Sequence, residues 1–179
     1  MEVRWRPFFL NPQAPREGIV KRDYYVNKFG AERARSIEPM MTQRFAEVGE
    51  AFSMGGKTGA TIDSHRLAMH AMKQGGADLQ NRLMEELFLN YFTQEKYLGD
   101  REVLLAASAK LNLADAEQVV DDPTMYQQEV QQELAAFARN VRGVPHFIIS
   151  PPEGAQIQLS GAQPTETFEE ILTEIADQA

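Results

Sequence analysis

The sequence of 179 residues contains no cysteine. A chain without a thiol of its own forms no disulfide, no zinc–thiolate site and no CxxC redox centre, and it offers no cysteine nucleophile. The thiolate is the attacking group in thiol–disulfide exchange, so these residues predict no dithiol activity. We therefore assign no catalytic residue, and we expect a chain that requires no cofactor.

Long apolar runs are also missing. No run approaches the roughly 18 residues that a transmembrane helix needs, and the segment from Met1 to Arg6 lacks the apolar core of a signal peptide. We expect a cytoplasmic protein without a membrane partner. The net charge of −8 argues against non-specific nucleic-acid binding.

The charge is unevenly distributed along the chain. Residues 1–44 carry nine basic and five acidic residues, whereas the remainder carries nine and twenty-one. This pattern is typical of two solvated faces of opposite sign. The alternative is a basic patch that receives an anionic ligand.

Two short motifs resemble catalytic signatures but lack the residue spacing or the flanking structure that those signatures require. Gly56-Lys57-Thr58 lacks the glycine that a phosphate loop needs five positions earlier, where Ala51 stands, and a helix is expected before it. We interpret it as a connection between helices. Asp63-Ser64-His65 contains the residue types of a catalytic triad, but consecutive residues at a helix start cannot line up as one. We expect Asp63 or Ser64 to cap the helix.

The histidines do not have the spacing of a metal site. His65 and His70 are five positions apart, rather than the four of a helical ligand pair, and His146 is distant in sequence. We expect no metal.

Periodicity predicts three strands around a helical block. Residues 3–9 alternate as a strand, residues 21–140 show helical spacing, and 146–149 with 156–160 form a hairpin before a closing helix at 164–176. Within the helical block, Gly75-Gly76 should close a helix that begins at Ser64, Asp100 should cap a helix that runs to Lys110, and Asp122-Pro123 should start another.

Two loops of the last region carry the candidate binding residues. Val144-Pro145 precedes a buried strand, which favours a cis bond and leaves the Val144 backbone free to pair with an extended peptide. A plain turn is the alternative. Gly161-Ala162-Gln163 enters the last helix, where free amides could receive an anion; an ordinary loop is the alternative.

Taken together, five segments resemble the DsbA-like thioredoxin-fold proteins of the FrnE type. They cover essentially the whole chain in the family's order. The C-terminal signature is Gly143-Val144-Pro145-x-Phe147, a hairpin, and Ser160-Gly161-Ala162-Gln163-Pro164 with Phe168. The earlier segments are Trp5–Pro12, Ser64-His65-Arg66-Leu67, and Phe88-Leu89-x-Tyr91-Phe92 followed by Gly99-Asp100-Arg101-Glu102-Val103-Leu104.

The resemblance implies an α/β fold, thioredoxin-like with a large helical insertion and incomplete at its N-terminus. Residues 1–179 would form one domain, with 1–12 and 143–179 as the thioredoxin-like part and 20–142 as the insertion. The chain opens at what would be the family's second strand. The first strand, the first helix and its CxxC motif are therefore expected to be missing.

Three functions are compatible with this resemblance. The favoured one is a protein that is redox-inactive by itself but keeps a peptide- or thiol-binding loop at Val144-Pro145. The second is a protein like the glutathione-dependent 2-hydroxychromene-2-carboxylate isomerases and kappa-class transferases, in which the ligand supplies the thiol. The third is a truncated product of an active disulfide oxidoreductase.

In the glutathione reading, the Val144 backbone holds the tripeptide and the start of the last helix, at Gly161, Ala162 and Gln163, receives its carboxylate. The resemblance places Asn11 among the ligand-binding residues as well.

The absent central strand also predicts self-association. Residues 3–9 and 146–149 would flank that strand, and unpaired backbone groups at a sheet edge attract another chain. The two strands could instead pair directly with each other, or the edge could stay open and prone to aggregation. We favour self-association, as a homodimer formed by edge pairing.

Overall fold

A computed structural model describes residues 1–177. The chain divides into two compact units, residues 1–134 and the segment that begins at Ala135. Each unit is described by itself. The domain bounds expected from the resemblance stay a prediction. Within residues 1–177, no helix is both long and apolar enough to cross a membrane.

The first unit is mainly helical. A two-stranded antiparallel ribbon pairs Ile19 with Thr58 and Val20 with Lys57. The elements of the first unit, in chain order, are β1 (Ile19–Val20), α1 (Lys21–Phe29), α2 (Ala31–Glu47), β2 (Lys57–Thr58), α3 (Ile62–Phe88), a π-helical turn (Leu89–Thr93), α4 (Arg101–Lys110), α5 (Ala116–Asp121) and α6 (Gln127–Glu133). The ribbon consists of β1 and β2.

The core of this unit lies between α3, α4 and α5. The apolar residues at helical spacing on these helices face one another, so their side chains leave water together. Asp100 caps α4 as expected, because its side chain accepts a hydrogen bond from the Glu102 amide. The fully buried apolar residues include Leu67, Leu83, Leu87, Leu104, Ala107 and Val119.

Two glycines interrupt α3, as the sequence predicts. Gly75 and Gly76 leave helical geometry, and Gly76 has a φ of +64°. A Cβ on Gly75 would come within 2.6 Å of the Leu79 Cβ. The chain therefore changes direction here and continues as a second helical stretch.

Arg66 is a buried cation that organises the chain between α5 and α6. Its side chain is only 1% exposed and pairs with Asp63 at 2.9 Å. The guanidinium donates to the carbonyls of Asp122 (2.7 Å) and Met125 (3.1 Å), and also to that of Val119. One rigid fork of donors thus satisfies carbonyls that the short helices leave open.

Removing the Arg66 guanidinium should make the protein less stable toward unfolding. Arg66→Met should lower the free energy of unfolding by about 3–5 kcal/mol, because Asp63 and several buried carbonyls lose their partner. The matched control is Arg44→Met, whose side chain is 73% exposed beside Glu47; it should cost about 0–1 kcal/mol. Urea denaturation measures both, and equal effects would contradict the assigned role.

The expected strand at residues 3–9 is wrong. The segment is extended, but no strand pairs with it within residues 1–177. It lies along α3, where the side chain of the buried Gln80 makes the hydrogen bonds to Trp5 that a neighbouring strand would otherwise make. The Trp5 amide donates to Gln80 Oε1 at 2.9 Å, and Gln80 Nε2 donates to the Trp5 carbonyl at 3.2 Å. The Trp5 ring packs edge-on against Phe88 at 5.3 Å.

Two further local expectations need correction. Neither Asp63 nor Ser64 caps α3: Asp63 pairs with Arg66, and the Ser64 hydroxyl donates to the Thr61 carbonyl at 2.9 Å. The helix expected from Asp122 begins only at Gln127. The residue before it, Tyr126, has a φ of +59°, so the helix cannot extend backwards through it.

His65 attaches the N-terminal segment to α3. Its ring lies 5.5 Å from that of Phe9, and Nε2 is 3.3 Å from the Phe8 carbonyl. Burial lowers the pKa of His65 to about 4, and the Phe8 carbonyl partly opposes this shift. The imidazole is therefore neutral near pH 7.

The lowered pKa predicts acid sensitivity. An unfolded histidine titrates near pH 6.5, so between this pH and about 4 the unfolded chain binds more protons than the folded one. The stability from neutral His65 is full above pH 6.5 and is lost as the pH falls to 4. His65→Gln should flatten this part of the profile in urea denaturation at stepped pH. If His65→Gln shows the same pH dependence of the free energy of unfolding as the wild type, His65 is not the group responsible for the acid sensitivity.

The second unit is a hairpin covered by one helix. After a π-helical turn (Leu134–Ala138), β3 (His146–Ile149) pairs with β4 (Ile157–Ser160), and α7 (Thr165–Asp177) follows. The expected hairpin and closing helix are confirmed. Phe147 packs edge-on against Phe168 of α7 at 4.9 Å. No residue between 135 and 177 is fully buried, so this unit lacks a closed core of its own.

Candidate functional site

The hairpin fixes which backbone groups of β3 are used. The register places Phe147 opposite Leu159 and Ile149 opposite Ile157. The Gly161 amide donates to the Pro145 carbonyl at 2.9 Å, which extends the ladder by one position. Because hydrogen-bonded pairs alternate along an antiparallel ladder, Pro145, Phe147 and Ile149 direct their backbone groups toward β4.

The other edge of β3 is consequently open. The same alternation turns the amides and carbonyls of His146 and Ile148 away from β4. The Val144 amide and carbonyl make no hydrogen bond to any group within residues 1–177. We call the stretch Val144–Ile148 the open edge.

Proline does not block this edge. The Val144–Pro145 peptide bond is cis. Pro145 lies in the phase that faces β4, so its missing N–H falls on the paired side of the strand. The open edge keeps its donors at Val144, His146 and Ile148.

The side chains along the open edge are apolar or neutral. Val144 is 49% exposed and Ile148 is 36% exposed. His146 Nδ1 lies 2.9 Å from the Ser160 hydroxyl on β4, which orients the imidazole across the hairpin. The stretch from Val144 to Ile149 contains no charged residue. An extended chain can thus approach without desolvating a charge.

The loop before α7 is partly engaged already. Gly161 has a φ of +82° and gives its amide to Pro145. The Gln163 side chain donates to the Ser160 carbonyl at 3.0 Å. Gly161, Ala162 and Gln163 are the residues expected to receive an anion, and of these only Ala162 and Gln163 keep amides outside the β3–β4 ladder. Glu166 lies in the first turn of α7. A carboxylate at this position already complements the positive end of the helix dipole.

The expected ligand residues fall into different units. Val144, Pro145 and Gly161 come together at the end of the hairpin, and Ala162 with Gln163 follows directly. Asn11 belongs to the first unit, where it shapes its own loop. Its side chain accepts from the Gln13 amide at 3.0 Å, and its carbonyl accepts from the Ala14 amide at 3.1 Å.

A buried lysine escaped sequence reasoning. Lys21 is 2% exposed. Its Nζ donates to the Tyr91 carbonyl at 2.8 Å and lies 3.9 Å from the centre of the Tyr91 ring. Burial lowers the pKa of Lys21 to about 8, against the opposing charge of Glu95. The ammonium donates to a carbonyl of the π-helical turn. The helical spacing of apolar residues in the sequence does not reveal this contact.

Metal binding has no geometric support in the described part of the chain. Among residues 1–177, no three His, Asp or Glu side chains lie close enough to share an ion.

Comparison with known proteins identifies the fold that carries this edge. Residues 1–173 match the DSBA-like thioredoxin domain. The chain belongs to this family. The solved structure of a probable DsbA oxidoreductase from Streptomyces coelicolor is similar, with a TM-score of 0.82 and 25% sequence identity over 97% of this chain and 75% of that one. No curated protein matches the chain.

The comparisons confirm the DsbA-like thioredoxin fold that the sequence predicts. Members of a fold family share architecture more readily than activity, so function must be argued from the site. Here the site consists of the open edge in a chain without a thiol.

Proposed function

We propose that this chain is a DsbA-like protein of the FrnE type that binds extended peptide segments and performs no dithiol chemistry by itself. The observation that carries the proposal is the open edge, with unpaired backbone at Val144 beside exposed apolar side chains. The absence of cysteine from the chain supports the second half of the proposal.

Strand addition explains what the edge recognises. A peptide in β conformation satisfies the outward amides and carbonyls of His146 and Ile148 while gaining the same bonds for itself. Such recognition depends on the peptide backbone and tolerates many sequences. The exposed side chains of Val144 and Ile148 add a preference for β-branched or aromatic residues opposite them. Unfolded protein segments fit this description.

Glutathione binding is less well supported. In that reading the helix start receives the tripeptide's carboxylate, but Gly161 has already given its amide to Pro145. Glu166 in the first turn of α7 repels a second carboxylate there. Residues 135–177 carry two basic and six acidic side chains, which also disfavours an anion.

The peptide proposal predicts an edge-specific effect of proline. A dye-labelled peptide of alternating valine and threonine should bind the wild type with a micromolar dissociation constant in fluorescence anisotropy. Val144→Pro removes an outward amide and should weaken binding by about tenfold, the equivalent of one lost hydrogen bond. Gln158→Pro is the matched control, because its amide faces the opposite edge of the hairpin; binding should be retained.

Three results would contradict the proposal. Equal losses in both proline variants would show that the open edge does not hold the peptide. Calorimetric binding of glutathione without peptide binding would favour the glutathione-dependent reading. Reduction of insulin disulfides by the purified chain, above a control without protein, would contradict the redox inactivity.

A further inference from the structure

A cavity of about 610 Å³ opens on the first unit beside β2 and the start of α4. Its volume lies within the range of roughly 300–1,000 Å³ that small-molecule sites occupy. Four cationic side chains from separate segments line it, and we call it the cationic cavity. They are Arg16, Lys57, Lys96 and Arg101. Only Arg16 comes from the basic first 44 residues of the sequence, so the fold itself brings these cations together.

The two lysines of the cationic cavity contact only uncharged acceptors. Lys57 Nζ donates to the Glu17 carbonyl at 3.4 Å, and Lys96 Nζ donates to Asn90 Oδ1 at 3.1 Å. Asn90 is 1% exposed, so its contact restrains the Lys96 side chain. Within residues 1–177, neither ammonium forms a salt bridge with a carboxylate. A bound anion would therefore not have to displace a carboxylate from either lysine.

The two arginines differ in how far their charge is already matched. Arg101 donates to Glu117 at 2.5 Å and to Asp121 at 2.6 Å. Arg16 reaches Asp63 only at 3.4 Å, and its side chain is 67% exposed. An exposed ion pair of this kind contributes little free energy. Arg16 is therefore available to a ligand together with the two lysines, whereas Arg101 is not.

Carboxylates also line the cationic cavity, and two of the three are engaged. Asp100 caps α4. Glu95 accepts from the Ser53 hydroxyl at 2.5 Å and interacts with the buried ammonium of Lys21. The third carboxylate, Glu17, is exposed and forms no salt bridge within residues 1–177. Glu17 is thus the group that competes most directly with a bound anion.

We propose that the cationic cavity binds a small polyanion through Arg16, Lys57 and Lys96. A ligand with two or more negative charges on phosphate or carboxylate oxygens can contact several of these cations at once. The two ammonium groups act as point charges and do not require one acceptor geometry. The chain as a whole carries −8 and repels anions, so binding depends on the cations gathered at this one place.

This proposal goes beyond peptide binding and does not require it. The residues that line the cationic cavity all belong to the first unit, whereas the open edge belongs to the second. Anion binding is measured on the full chain without peptide. Its result is therefore independent of the result of the peptide experiment.

Calorimetric titration with pyrophosphate and with citrate gives the first test. The wild type should bind at least one of them with a dissociation constant below about 1 mM. Lys57→Gln should raise that constant by about tenfold, the equivalent of one charge-assisted hydrogen bond. The matched control is Lys28→Gln, an exposed lysine of α1 outside the cavity, and it should leave binding unchanged. Binding of pyrophosphate alone indicates a phosphate ligand, and binding of citrate alone indicates a carboxylate ligand.

A second test changes the affinity in the opposite direction. Glu17→Gln removes the competing carboxylate and should tighten binding by about two- to fivefold, as expected for an exposed charge. Glu50→Gln changes the net charge equally at an exposed position outside the cavity, and it should have no effect. In NMR titrations of the wild type, the amides of Gly56 and Gly99, which line the cavity, should shift with the ligand. Circular dichroism checks that the variants keep the wild-type fold.

The proposal has clear contrary outcomes. If neither anion binds the wild type at millimolar concentration, the cationic cavity is not a polyanion site. Equal losses in Lys57→Gln and Lys28→Gln, or equal gains in Glu17→Gln and Glu50→Gln, would show that only the overall charge matters and would overturn the proposal. Opposite effects of Lys57→Gln and Glu17→Gln, with both controls unchanged and shifts at Gly56 and Gly99, would support it.

Discussion

The hydrogen bond from the Gly161 amide to the Pro145 carbonyl, at 2.9 Å, fixes which backbone groups of β3 are paired with β4 and which are left open. It sets the phase of the hairpin, because an antiparallel ladder alternates between inward and outward residues. With Pro145 turned inward, its missing donor is harmless, and the amides of His146 and Ile148 face outward. The opposite phase would place the proline on the outer edge and remove a donor there. The positive φ of Gly161 allows the chain to turn toward α7 directly after this bond.

The two units differ in how they are stabilised. The first has a closed core and a buried guanidinium, Arg66, that holds the carbonyls between its short helices. The second has no fully buried residue between 135 and 177, and it depends on contacts such as Phe147 with Phe168. Elements with little burial open at low free-energy cost. The open edge, which we propose as a binding site, therefore belongs to the less buried unit.

Sequence reasoning predicted the parts that depend on local pattern. A short apolar run located β3, alternation located β4, and Asp100 marked the start of α4, because these signals lie within a few residues. The strand expected at Val3–Phe9 was wrong, since alternation alone does not show what lies beside a segment; here it is Gln80, seventy-five positions away. The candidate residues Val144 and Pro145 were named from a proline directly before a buried strand and then from the resemblance, but the phase that leaves one edge unpaired depends on the register with β4. Buried Lys21 and the carbonyls around Arg66 also depend on distant contacts that no local pattern encodes.

The chain has the family's domain but no cysteine, and we propose that its hairpin acts through backbone pairing. The most direct measurement is amide hydrogen exchange along β3, followed by NMR at concentrations low enough to keep the chain monomeric. The account predicts slower exchange at Phe147, which faces β4, than at His146 and Ile148, with these two becoming protected when the valine–threonine peptide is added. Fast exchange at Phe147 with protection at His146 and Ile148 in the free monomer would contradict it.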